Sequence, residues 1–457
     1  MGSRVTDSAV YGHLWGTDEL REIFDERARL ASWLGILVAL AEAQADLGIV
    51  PPEAAREIAA SASVDALDLG YVAEQTRLTG HSTLGLIRAL ERVLPPEASR
   101  WVYYGATVQD LTDTWTALAI KQVGAIAWVE LREIEACLLD LARIHRDTPM
   151  AGRTHGQPGA PITFGLKAAG WADEIRRHVD RLREASPRLL VGQLGGAVGS
   201  LAFFHEEGQE LRRRFCERLG LADPEISWTT ARDRLAEFVN LLAMIAATLA
   251  RIGTEVYELQ RPEIGELREP ALPEGVGSIT MPHKRNPELS EHIVTLSRLV
   301  RAQAALVLEG MVQEHERDGR GWKVEWVAFP EACLLTCAAL SFAKRVVTGL
   351  EVDTAAMRRN IEAGRGLLSS EQLLSAITPT LGKHRAQARL QDVLAEAVRM
   401  RRSLAEAVEA VPDIASLLPP GALASLSDPD TGAAGSMVDA VLLRAEEARA
   451  SEPTSWP

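Results

Sequence analysis

Gly277-Ser278-Ile279-Thr280-Met281-Pro282-His283-Lys284-Arg285-Asn286-Pro287 interrupts long stretches of helical text with a loop rich in chemistry. Gly275 and Gly277 give the backbone freedom there, and Pro282 and Pro287 restrict it by fixing φ. A hydroxyl (Ser278), a cation (Lys284) and an amide (Asn286) stand between them. A lone serine or lysine in a loop reads as solvated surface. The whole string reads as a site.

Outward from this loop the 3.6-residue apolar period dominates, and the alternation of a β-strand is hard to find. Residues 20–47 read as one helix stopped by Gly48 and Pro51-Pro52. Residues 115–146, 162–184, 232–260, 287–316 and 330–350 read as five long helices, each well above the globular mean of about 11–12 residues. The 232–260 stretch is apolar around most of its circumference (Leu235, Phe238, Val239, Leu242, Ile245, Leu249), which places it inside a bundle or an oligomer core. The expected architecture is all-α. It has an N-terminal helical domain over 1–105, a central bundle of five long helices over 106–364, and a C-terminal helical domain over 365–457. The last six residues, Glu452 to Pro457, read as a frayed tail.

Composition agrees with a large helical protein. The chain has 457 residues, 47% hydrophobic and 5% aromatic. A net charge of −14 argues against a nucleic-acid partner, which needs a basic face. A few cations converging in a cleft still suit an anionic substrate. The longest apolar run, residues 241–250, is short of the about 20 needed to span a bilayer, so no membrane role is expected. No cationic leader is visible, and cytoplasmic localisation is expected. Cys137, Cys216, Cys333 and Cys337 form no CxxC pair and read as reduced core thiols. Neither a metal-ligand cluster nor a dinucleotide fingerprint is present, and no cofactor is expected.

The opening string closely resembles the GSSxMPxKxNP signature of the fumarase/aspartase superfamily. That resemblance implies Ser278 as the base that removes a proton next to a carboxylate, with Lys284 and Asn286 holding that carboxylate as it gains charge. Such a proton is very weakly acidic, so preorganised donors and exclusion of water are needed to stabilise the dianion. Ile279 replaces the second serine of the signature.

Three further segments carry the same resemblance. Gly152-Arg153-Thr154-His155-Gly156-Gln157 is similar to the family's GRTHxQ region, placed here at the entrance of a helix starting near Ile162. It implies a His155–Glu291 pair on the leaving-group side, with Thr154 and Gln157 as substrate ligands. A carboxylate raises the pKa of a neighbouring histidine and fixes its tautomer, which suits general-acid work. Tyr104 to Thr114 resembles the GATSQDxxDT segment and implies Thr107 and Gln109 as ligands; Val108 replaces its serine. Asp110 and Asp113 read as N-terminal helix caps. Gln313 to Trp326 resembles the EHER…EW stretch of the carboxymuconate cycloisomerase branch. It implies Arg317 and Lys323 as anion contacts, although such charge runs usually face solvent. Gln193 and Ser200, flanking a glycine-rich turn, complete that branch pattern, and His81 matches a family histidine position.

The resemblance spans nearly the whole chain. Its framework is nearest to 3-carboxy-cis,cis-muconate cycloisomerase, but retention of His155 favours β-elimination over lactonisation. An adenylosuccinate lyase is disfavoured by Val10 before Tyr11, where that family carries an Arg-Tyr phosphate anchor, and by Tyr103 in place of a second histidine. The implied activity is a C–N lyase acting on a small dicarboxylate and releasing fumarate, with nitrosuccinate the specific expectation. The alternatives are the cycloisomerase, adenylosuccinate lyase, and a catalytically silent, crystallin-like structural member. The resemblance also implies a homotetramer with a twenty-helix core and active sites shared between three subunits.

Overall fold

A computed structural model describes residues 4–271, 275–426 and 428–457. The chain is helical almost throughout, and the five long helices are Val108–Ile144, Phe164–Leu189, Asp233–Leu259, Glu288–Gly310 and Gly319–Thr348. Val108–Ile144, at 37 residues, runs about 55 Å. It opens with a capping box: the N–H of Thr107 donates to Asp110 Oδ2 at 2.8 Å. Glu288–Gly310 packs against both Asp233–Leu259 and Gly319–Thr348, while Val108–Ile144 pairs with Phe164–Leu189 and closes the bundle against Gly319–Thr348.

Several helix boundaries differ from expectation, and two of the differences have a capping aspartate as their cause. Asp25 accepts from the N–H groups of Arg27 and Ala28 with ψ at 148°, which splits the expected 20–47 helix into Asp18–Phe24 and Glu26–Asp46. Asp318 accepts from Arg320 N at 2.9 Å and starts the last long helix at Gly319 rather than 330. Pro330 lies inside that helix, where it removes one bond of the ladder.

The N-terminal helices share one continuous apolar core with the bundle, whereas Leu373 to Leu426 gather around a second core. Helix Ala434–Ser451 then returns to pack on Phe164–Leu189 and Val108–Ile144. The tail behind it is not frayed. Trp456 is 5% exposed, lies against Gly124 and donates its indole N–H to Leu182 O. Glu452 is buried between Arg132 and Arg176 at 2.7 and 2.8 Å. Polar composition predicted solvent there, but one anchored tryptophan and one paired carboxylate hold the segment down.

Cys216, Cys333 and Cys337 are buried and Cys137 is half-buried; all four are free. Two helices, Asp233–Leu259 and Gly319–Thr348, are long and apolar enough to cross a membrane, which the short uninterrupted run at 241–250 did not reveal. Two thirds of each apolar window is buried inside the fold, as in a core helix.

Candidate active site

The loop before Glu288–Gly310 is fixed by its flanks. Glu269 accepts from Leu289 N, Ser290 N and Ser290 Oγ at 2.9–3.1 Å and so caps the helix start. Arg285 bonds Glu269 O at 2.5 Å and Glu351 Oε1 at 2.9 Å. A Cβ on Gly277 would stand 2.4 Å from Lys284 O, so only glycine lets the loop fold back on itself. Within it Ser278, half-buried, accepts a hydrogen bond from Met281 N at 3.0 Å. A donor held on that oxygen favours its charged form. Lys284 and Asn286 border a cavity of about 330 Å³ with Gly277, His283 and Glu269. Ile279 is 95% exposed at the loop's crown.

Residues 152–157 do not enter a helix directly. Pro149–Thr154 and Gln157–Thr163 pair as an antiparallel hairpin, with Thr154 opposite Gln157 and the helix beginning at Phe164. The two turn residues, His155 (φ 52°) and Gly156 (φ 78°), are both left-handed, as a type I′ hairpin turn requires. A histidine at positive φ is uncommon, and such strain gathers at functional sites. Arg153 anchors the hairpin through two 2.8 Å bonds to the buried Glu266. Thr154, His155 and Gln157 are thereby held out at its exposed tip.

A third group forms where the Val108–Ile144 helix begins. Asp110 accepts from Gly195 N at 2.7 Å and Gly196 N at 3.2 Å as well as from Thr107, tying the glycine turn to the helix start. Burial pushes its carboxyl up to about 7 against these three donors. Gln109 and Gln193 are fully buried. Gln109 Nε2 donates to Thr229 O at 3.0 Å, and Gln193 Oε1 accepts from Trp228 N at 3.1 Å. Ser200 is exposed and Thr107 half-buried. Arg317 donates to Ala197 O at 3.0 Å. Asp113 is no cap: it is buried and salt-bridged to Arg232, because its position one turn into the helix faces the bundle interior.

Tyr103, absent from the residues picked out of the sequence as site residues, stands in the middle of this group. Its phenol faces Thr83, Thr107, Asp110 and Arg317, and burial with the Asp110 charge pushes its pKa up. Its backbone is left-handed at φ 60°. The sequence signal was its place before the GATSQD-like segment. His81 is exposed, its Nδ1 3.4 Å from Thr83 Oγ1. His81, Val108, Thr112 and Lys323 also border a second cavity of about 680 Å³. Among the described residues, no cluster of three His, Cys, Asp or Glu side chains is placed to hold a metal ion.

One chain thus brings together Ser278, Lys284 and Asn286 on the loop, and Thr107, Tyr103, Arg317 and His81 around the helix start. It does not bring His155 to Glu291. Both are exposed, and among the described residues neither side chain has a hydrogen-bond or ion-pair partner.

A bundle of five long helices with polar loops at its helix ends defines an all-helical lyase of the fumarase/aspartase superfamily. The family described as Lyase matches residues 15–302, and the chain belongs to it. N-acetyl-S-(2-succino)cysteine lyase of Enterococcus italicus is 41% identical over 84% of this chain and 85% of its own. 3-Carboxy-cis,cis-muconate cycloisomerase of Pseudomonas aeruginosa is 39% identical over 84% of both chains. The crystal structure of fumarate lyase from Mesorhizobium sp. BNC1 superposes with a TM-score of 0.87 at 36% identity, over 94% of this chain and 98% of that one.

Proposed function

We propose that the chain releases fumarate from a 2-substituted succinate by β-elimination, with Ser278 as base. The observation that carries the reading is the Met281 N–H held on the Ser278 hydroxyl, on a loop that also presents Lys284 and Asn286 to a cavity. Ser278 takes the proton from C3, and the electron pair moves into the adjoining carboxylate. Lys284 and Asn286 meet the charge that develops there. The pair then returns to form the C2–C3 double bond as the substituent leaves C2 with its bonding electrons. His155, oriented by Glu291, supplies the proton a basic leaving group needs.

Because His155 and Glu291 do not meet within one chain, the proposal includes a homotetramer in which different subunits supply them. The exposed apolar residues Met244, Leu299, Leu306 and Leu308 on the bundle helices support such an assembly. Val108 and Tyr103 favour a small nitrogen leaving group, with nitrosuccinate as the specific substrate. Similarity to N-acetyl-S-(2-succino)cysteine lyase favours a thiol leaving group instead. The experiment offers purified enzyme nitrosuccinate, N-acetyl-S-(2-succino)cysteine, adenylosuccinate and 3-carboxymuconate. Fumarate is followed in each case, with nitrite or free thiol as the second product. Fumarate from none of the three succinates would reject the elimination, and fumarate from neither nitrosuccinate nor adenylosuccinate would reject the nitrogen reading.

A further inference from the structure

Aromatic residues make up only 5% of this chain, yet four of its ten tryptophans converge on one cavity. Trp33, Trp115, Trp322 and Trp326, with Phe329, wall the space of about 680 Å³ that His81 and Val108 also border. The walls are ordered: Trp322 and Trp326 meet edge to face at 4.9 Å, and Trp115 meets Phe329 in the same way at 6.4 Å. Three cations line the same space, Arg29, Arg77 and Lys323. Among the described residues none of the three has an ion-pair partner, in a protein whose net charge is −14.

Arg29 is the unusual one. It is half-buried, its guanidinium lies 4.7 Å over the Trp115 ring, and its buried Nε has no hydrogen-bond acceptor. The buried indole N–H of Trp33, on the same wall, is also without an acceptor. On the floor, Asp113 and Glu325 are already engaged by Arg232, so they do not answer the three lining cations. A cavity with planar apolar walls and three cations that lack ion-pair partners among the described residues matches a flat apolar molecule bearing a carboxylate. Nitrite, with three heavy atoms, would fill little of it.

We propose that this cavity binds the leaving-group half of the substrate, and that this half is a planar apolar body carrying a carboxylate. The assignment rests on the reading of His81 and the Thr107 segment as part of the elimination site. It narrows the substrate to a succinate whose 2-substituent is bulky and anionic, which replaces nitrosuccinate with the larger leaving groups offered in the same experiment.

Naphthalene-2-carboxylate is the probe, with naphthalene-2-methanol as its uncharged analogue and acetate as the ringless one, each titrated calorimetrically into the intact protein. The carboxylate is expected to bind about tenfold or more tighter than the alcohol, the equivalent of one charge-assisted hydrogen bond, and acetate not measurably. Arg29→Gln removes the preference for carboxylate over alcohol. Trp326→Ala, at a residue 41% exposed and thus outside the core, weakens both aromatic ligands. Lys323→Gln, at the exposed rim, reduces the preference partially and guards against misfolding of the Arg29 variant. Ser278→Ala lowers fumarate release by about 10²–10⁴ while binding naphthoate as the parent does. Absence of naphthoate binding, or a preference that survives Arg29→Gln, overturns the proposal even if fumarate is released. Binding that responds as described, in a protein that releases no fumarate from any succinate, supports the cavity and rejects the reaction.

Discussion

Arg232 holds Asp113 with both terminal guanidinium nitrogens, Nη1 2.8 Å from Oδ2 and Nη2 3.0 Å from Oδ1, while its Nε donates to Glu325 at 2.8 Å. All three side chains are buried, and they tie together the starts of Val108–Ile144, Asp233–Leu259 and Gly319–Thr348. Burial pushes both carboxyls upward even beside the arginine.

This geometry predicts unequal costs. Arg232→Met strands two buried carboxylates and is expected to destabilise the fold by about 3–5 kcal/mol. Asp113→Asn leaves Arg232 and Glu325 paired one to one and should cost only about 1–2 kcal/mol. Urea denaturation of the two variants checks the order. Equal losses would mean that the arginine matters for packing rather than charge.

His178 predicts a pH dependence away from the site. Its Nε2 lies 2.8 Å from Thr248 Oγ1, which donates to Glu174 at 2.6 Å, so Nε2 carries the proton, and Nδ1, 3.3 Å from the Arg181 guanidinium, is left as the acceptor of a neutral ring. Burial, helped by Arg181, pushes its pKa down to about 4. A depressed folded-state pKa means that the unfolded chain takes up the proton first as pH falls. The stabilisation is therefore fully present above about 6.5 and is lost as pH drops through about 4. The loss should reach on the order of 2–3 kcal/mol relative to His178→Gln. Denaturation midpoints of the two proteins at pH 7, 5.5 and 4 should converge toward acid. A constant gap would show that the ring does not stay neutral.

Ser278→Ala is expected to lower turnover by about 10²–10⁴ with an unchanged melting temperature, since the half-buried hydroxyl accepts one local loop hydrogen bond. Lys284→Met should reduce kcat and kcat/KM together, as an interaction made mainly in the transition state does. Turnover within about tenfold of the parent for Ser278→Ala would remove it as the base.

The long helices were legible because each carries its own apolar period and faces a common core. What the sequence hid depends on tertiary contacts. Gly319, Gly321 and Pro330 look like breakers, yet Asp318 starts the helix before all three. The resemblance implies Gln109 and Gln193 as ligands, and only the packed fold shows that each is buried with one amide atom bonded to backbone and the other, Gln109 Oε1 and Gln193 Nε2, without a partner among the described residues. The I′ turn at His155-Gly156 was masked by two prolines, Pro158 and Pro161, that discourage a strand reading. The tryptophan cavity draws on residues from 29 to 329, a grouping no local pattern announces.

The docked tail provides the sharpest test, because the effect of one substitution there should change sign with the other. Gly124 sits inside the Val108–Ile144 helix, where alanine would ordinarily stabilise by up to about 1 kcal/mol. A Cβ at this position, however, would stand 2.1 Å from Trp456 Cζ3. Gly124→Ala should therefore destabilise the full chain by displacing the indole. Trp456→Ala alone loses a buried side chain and its hydrogen bond to Leu182 O, at a cost of about 3 kcal/mol. In that background the steric conflict is gone, so Gly124→Ala should become neutral or stabilising. A double-mutant cycle by thermal denaturation measures the reversal. If Gly124→Ala shifts stability equally with and without the tryptophan, the tail is not seated where Glu452 and Trp456 place it.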